Sequence, residues 1–393
     1  MRKAFTLGAL AAVLAGCSAT PSESSQPYSD ATPDVAGLAL ETTGGVLDGL
    51  GDLSSASAPS PCQPYQYLCL LQQDVRELNR FVRATVGPVE ALAETAPASS
   101  SSEEQVYGPV DAPPDSPVAT FRLTVRTGAD AATFRFKLEG KPTGAGDAKY
   151  ATVLAGRLTK GLVAHRGTGV FAIDLTALAA LNVGGLAANG FQGAGQILAS
   201  FVNAAQTKSL TYSVSGFVPD TTVASVVPLT AAFVGHKTAA GETRVRMVSL
   251  GAYLPPKSGS ASGPELALSR GRWLPGTGGR AAVVFADEPP GVDVASYDVN
   301  FFLGVSCWDA SLSEGYHGLF GCKGILPCPA APAALTQGWP STSLADAAVA
   351  CIPGTELADE TDPPATDPSS TTPEPGAPAT PGPLPGSLAE LDF

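Results

Sequence analysis

Charge is scarce in this chain, and histidine is scarcer. Charged residues make up 15% of the 393, against 43 glycines, 35 prolines and only three histidines. So little charge argues against long, salt-bridged surface helices, and so much glycine and proline favours strands, turns and loops. Residues 18–60 and 352–393 contain no lysine or arginine, yet carry six and eight acidic residues. The net charge of −13 therefore belongs to the flanks, and the middle of the chain is close to neutral. There is no lysine and arginine stripe of the kind that phosphate backbones require, which excludes nucleic acid as the expected partner. After the N-terminus no apolar run reaches 18 residues, so no membrane-spanning helix is expected there.

Catalytic patterns are missing as well. The chain has no G-x-S-x-G, S-x-x-K, H-E-x-x-H or phosphate-loop motif. His165, His236 and His317 lie far apart in sequence, and the Glu314-Gly315-Tyr316-His317 stretch offers a single histidine. No metal site, cofactor or catalytic residue is nominated. A carboxylate pair for glycoside hydrolysis needs no local motif, so hydrolysis of an envelope polymer stays open as an alternative.

What is present begins at the N-terminus. Arg2 and Lys3 precede an apolar run from Ala4 to Leu14, which ends in Leu14-Ala15-Gly16-Cys17. The run is too short to cross a hydrocarbon core as a helix and has the three parts of a secretory signal. The whole resembles the lipobox of bacterial lipoproteins. That resemblance implies that residues 1–16 are a signal peptide and that Cys17 receives a diacylglyceryl group, with a further acyl chain such as palmitate on its new amine. It also implies that the chain is held to a membrane through its lipid. Ser18, where an aspartate would favour the inner membrane, resembles the class sorted to the outer membrane.

Six cysteines follow: Cys62, Cys69, Cys307, Cys322, Cys328 and Cys351. An even number outside the cytoplasm reads as three disulfides, and six cysteines allow 15 pairings. Sequence proximity suggests Cys62 with Cys69 and the other four among themselves. No C-x-x-C spacing points to metal.

Along the chain, 17–60 reads as a flexible tether and 61–92 as a helical segment. Leu68, Leu71, Val75, Leu78 and Val82 line one helix face over 66–86, and Gly87-Pro88 gives a stop. Residues 93–116 read as a linker. From 117 to 306 the period becomes two: Phe121, Leu123 and Val125 alternate with Arg122, Thr124 and Arg126, and Phe134, Phe136 and Leu138 with Arg135, Lys137 and Glu139. About ten strands are expected, with one short helix within 175–195. Residues 307–353 read as a cysteine-rich subregion and 354–393 as a disordered acidic tail rich in proline and threonine, whose last six residues could dock but more simply fray. The expected fold is mainly β: an antiparallel barrel or strongly curved sheet, with one N-terminal helix and a disulfide-rich C-terminal subregion.

Two segments stand out. Arg270, Arg272, Trp273 and Arg280 surround a Pro-Gly and Gly-Gly turn, where three arginines beside an indole could clamp an anion or stack on a sugar. A tryptophan packed under arginine stems is the simpler reading. The other is Cys307-Trp308-Asp309, where the indole is expected to pack on a disulfide. In this order, an Arg-Trp…Gly-Arg hairpin followed by Cys-Trp-Asp looks like a pattern in lipoproteins of myxobacteria. The resemblance spans about residues 117–322 and implies a cell-envelope neighbourhood without transferring any catalytic residue. The expected role is non-enzymatic, structural or binding, toward an envelope protein or glycan. The alternative is carriage of a hydrophobic ligand in a barrel cavity.

Overall fold

The computed structural model describes residues 26–40, 75, 79, 82, 86–112, 118–128, 130, 132–181, 195–204, 207–217, 229–251, 265–285, 301–311, 314–322 and 383–393. They form one antiparallel sheet of 14 strands in sequence order, a meander without a crossover. The strands are β1 (Pro97–Ser100), β2 (Glu104–Ala112), β3 (Ala119–Thr127), β4 (Thr133–Pro142), β5 (Ala151–Lys160), β6 (Gly167–Asp174) and β7 (Gln196–Asn203). They continue as β8 (Lys208–Phe217), β9 (Leu229–Lys237), β10 (Thr243–Gly251), β11 (Glu265–Leu274), β12 (Gly278–Phe285), β13 (Phe301–Asp309) and β14 (Glu314–Cys322). Short helices accompany them, among them α1 (Gln26–Ser29), α2 (Val35–Leu38) and α3 (Leu175–Ala180).

The sheet is not closed into a barrel, since β1 and β14 are its two ends. An amphipathic sheet must cover its apolar face, either by curling onto itself or with other elements. Here the chain supplies the cover. Phe121, Leu123, Val125, Phe134, Phe136 and Leu138 point to one face, here called the inner face, and are buried there. Against them pack Tyr28, Leu38 and Leu40 from the N-terminal segment, and Val75, Val82, Val86, Val89 and Leu92. Residues 26–40 are thus part of the core, not a tether. They run along one end of the strands: Tyr28 Oη donates to Ser102 O at 2.9 Å, His165 N to Asp30 O at 2.9 Å, and Lys208 Nζ to Ala36 O at 2.7 Å. The Tyr28 ring meets Phe134 edge-on at 5.7 Å. The Ser, Thr, Pro and Gly content of 18–60 suggested a tether, but Tyr28, Leu38 and Leu40 carry enough apolar surface for 26–40 to be buried.

Residues 75, 79, 82 and 86–93 are helical, so helix persists beyond the Gly87-Pro88 stop. Burial of Val89 and Leu92 outweighs the amide hydrogen that Pro88 lacks. Asn79 shares the buried face and clamps the N-terminal segment. Its Oδ1 accepts from Leu40 N at 2.9 Å, and its Nδ2 donates to Leu40 O at 2.8 Å. Of the expected helix face, Leu68, Leu71 and Leu78 lie outside the described residues.

The sheet extends past both expected ends. Part of the supposed linker forms β1 and β2, where Tyr107 is fully buried. Part of the supposed cysteine-rich subregion forms β13 and β14, despite the glycines of the latter. Cys307 is disulfide-bonded. It faces Tyr316 in the register while Cys322 faces Phe301, six positions along β14. That is about 20 Å, far beyond the ~7 Å a disulfide tolerates between Cα atoms, so neighbours in sequence are not partners here. The side chain of Cys322 and all of Cys17, Cys62, Cys69, Cys328 and Cys351 lie outside what is described, so a disulfide-rich subregion is not among the described features.

Candidate functional site

Strand alternation decides what the singled-out residues can do. In β11, Arg270 and Arg272 share the outer face with Arg280 of β12, because Arg272 pairs directly with Arg280. Trp273 lies one residue on and therefore faces the opposite way. It is 2% exposed and belongs to the inner core with Trp308. Gly279 sits between them: a Cβ there would lie 2.5 Å from Trp273 Cβ and 2.7 Å from Trp308 Cζ2. The glycine leaves room for two indoles on one row of the sheet. Trp308 likewise points away from neighbouring Cys307, so it does not pack on that cysteine's disulfide. The tryptophan thus leaves the expected cluster, and the three arginines stay together.

Two more arginines join them. Read across the register, the outer face carries a row Ser209, His236, Arg244, Arg272, Arg280 on β8 to β12. The next row carries Val234, Arg246, Arg270 and Ala282. Arg244 is directly opposite Arg272, Arg246 opposite Arg270, and Arg272 opposite Arg280. Like charges facing each other across strands are destabilising, so this array needs negative charge nearby. Glu242, in the turn before β10, supplies some. Its Oε2 lies 3.1 Å from Arg244 Nη2 and its Oε1 lies 3.1 Å from Arg272 Nε. Arg280 is buried at 2% exposure, whereas the Arg272 side chain is 36% exposed. Arg270 Nε is buried without a hydrogen-bond partner among the described residues.

Sequence reasoning missed Arg244, Arg246 and Glu242. The signal was present: Arg244 and Arg246 repeat the i, i+2 spacing of Arg270 and Arg272 on the neighbouring expected strand. The unusual Trp273 drew attention to one strand instead of to the pair.

Beside this array, Ser209 Oγ and His236 Nδ1 are 2.8 Å apart. Both side chains are buried, and burial, followed by the Arg244 charge, pushes the imidazole down to about 4. A general base works best with a pKa near the operating pH, so this histidine is a poor proton acceptor for Ser209 near neutrality. The pair is a cross-strand hydrogen bond. His165 is held elsewhere, with Nδ1 3.0 Å from Thr32 O, and His317 lies on β14 at the register position of Ser306.

What the array can do is bind negative charge. Planar guanidinium groups at strand spacing present forked donors that match phosphate or carboxylate oxygens two at a time. The chain matches no protein-family model, no curated protein and no solved structure.

Proposed function

We propose that this chain is a lipid-anchored extracytoplasmic protein with a non-enzymatic binding role, held at the outer membrane through acylated Cys17. In this reading the outer face of β10–β12 takes an anionic group, phosphate or carboxylate, of an envelope glycan or protein. The observation that carries the binding site is the placement of Arg270 and Arg272 two residues apart on the outer face of β11, with the Arg272 side chain 36% exposed. The anchor rests on the Leu14-Ala15-Gly16-Cys17 motif, and the disulfide at Cys307 supports an oxidising compartment, with the other cysteines paired as well. The inner face, filled by residues 26–40 and by Val75, Val82, Val86, Val89 and Leu92, favours surface binding over carriage of a hydrophobic ligand inside the sheet.

Two measurements test this reading separately. Calorimetric titration with polyphosphate and with polygalacturonate should show salt-sensitive binding of at least one. Binding should weaken at least about tenfold in an Arg270→Gln, Arg272→Gln variant whose melt matches wild type. Unchanged affinity, or no binding by wild type, overturns the site. Metabolic labelling with a fatty acid should mark wild type and not Cys17→Ser, and equal labelling overturns the anchor.

A further inference from the structure

The outer face of the sheet has a second feature, far from the arginine array. Residues 388–393 lie on the outer face of β4 to β6, reached from the last strand through residues 323–387, of which 354–382 are rich in proline, threonine and acid. Leu391 is 4% exposed and packs among Ala155, Val170 and Ala172, outward-facing residues that are themselves buried. Arg135 Nη2 donates to Leu391 O at 3.0 Å and to Asp392 O at 2.9 Å. Lys137 Nζ donates to Phe393 O at 2.6 Å and pairs with the Asp392 carboxylate at 3.2 Å, while Thr152 Oγ1 donates to Asp392 Oδ2 at 3.0 Å. Three cations surround the Phe393 ring: Arg126 at 4.8 Å, Arg135 at 4.9 Å and Lys137 at 5.1 Å from its centroid.

This density of specific contact on six residues is what a peptide-recognition site looks like. A buried leucine anchors, a carboxylate fixes register, and an aromatic ring sits in a cationic cage. Its occupant is not fixed by sheet hydrogen bonding. The segment forms a short 3-10 turn at Leu388–Glu390 and adds no strand, so side chains hold it. Effective concentration falls with linker length from the millimolar value of a short flexible linker, so a ligand on so long a connection is one that a second molecule can rival where copies are crowded. Residues 354–382 alone would span about 100 Å at full extension, enough to reach a neighbour.

We infer that the outer face of β4–β6 is a binding site for a short peptide with a leucine, an acid and an aromatic in succession, and that residues 388–393 are its tethered ligand, which the same segment of a second copy replaces. The inference does not depend on the lipid anchor or on the arginine array. Arg135 and Lys137 are its recognition residues.

Full-length variants test it by complementation. Leu391→Asp with Phe393→Ala disables the ligand and leaves the site vacant. Arg135→Glu with Lys137→Glu disables the site and leaves the ligand available. Neither variant should self-associate by this route, while an equimolar mixture should sediment as a one-to-one pair. A fluorescently labelled peptide of residues 383–393 should bind the ligand-disabled chain saturably, at least about tenfold more tightly than wild type, whose own segment competes. The site-disabled chain should not bind it. Absence of saturable binding to a ligand-disabled chain that melts like wild type overturns the proposal. If that chain does not fold, Phe393→Ala alone takes its place. Loss of the cooperative melt in both makes the segment an integral part of the fold and also overturns it.

Discussion

Arg272 and Trp273 are bonded neighbours that stand on opposite faces of the sheet, one against Glu242 at 3.1 Å and the other at 2% exposure in the core. Their substitutions should therefore separate cleanly. Trp273→Ala empties a large volume in a filled face and should cost about 3–5 kcal/mol, enough to lower the melting temperature sharply. Arg272→Ala removes a part-exposed ion pair and should cost less than about 1 kcal/mol, while weakening binding of anionic polymers. Equal effects on the melt would show that the two residues do not divide between core and surface.

Gly279 owes its identity to the same row. A methyl group there meets Trp273, Trp308 and the Arg272 carbonyl oxygen within 2.7 Å, and only the indoles have freedom to shift. Gly279→Ala should destabilise by about 1–3 kcal/mol through overpacking. A chemical-denaturation series would register it, and a neutral result would mean that the indoles repack.

Asn79 should matter more than a helix-surface asparagine usually does. Its amide satisfies both backbone groups of Leu40, and Asn79 itself is fully buried. Asn79→Ala leaves a buried N–H and a buried C=O without their partner, at about 1–3 kcal/mol each. The expected result is a lower melt together with faster protease cleavage within residues 26–40. Deleting residues 26–40 should be more damaging still, since Tyr28, Leu38 and Leu40 leave the core with them.

Stability should fall on mild acidification, and His236 gives the reason. Its pKa is lowered in the fold to about 4 by burial and then by the Arg244 charge, against an ordinary value of 6.5. A group with a depressed folded pKa stabilises fully above its unfolded value and loses that contribution as pH falls toward the folded one. Between pH 6.5 and about 4 this histidine should cost up to about 1.4 kcal/mol per pH unit. Denaturation midpoints measured across that window should slope upward with pH in wild type, and less so in His236→Gln. Equal slopes would remove this residue as the source.

Much of the sheet was legible because its two faces differ chemically. Phe121, Leu123 and Val125 alternate with Arg122, Thr124 and Arg126, and they form β3 as that alternation implies. Gln196–Asn203 was not legible as a strand for the opposite reason. Ile197 faces the inner core while Leu198 packs toward Leu388 and Leu391 on the outer side, so apolar residues occur on both faces and the alternation is lost.

The sequence by itself determined a mainly β, antiparallel sheet and the alternation that sets Arg270 and Arg272 on one face of their strand, because side-chain period and turn residues are local properties. It also carried the motif that nominates Cys17. Only the tertiary structure decided that residues 26–40 and 388–393 pack on the sheet. It alone placed Trp273 in the core, aligned Arg244 with Arg272 and Arg280, and left the sheet open. These are matters of which distant segment covers which face. Whether a low-charge stretch such as 26–40 stays in water or is buried depends on the complementary surface available to it, and that surface exists only once β2 to β9 are assembled.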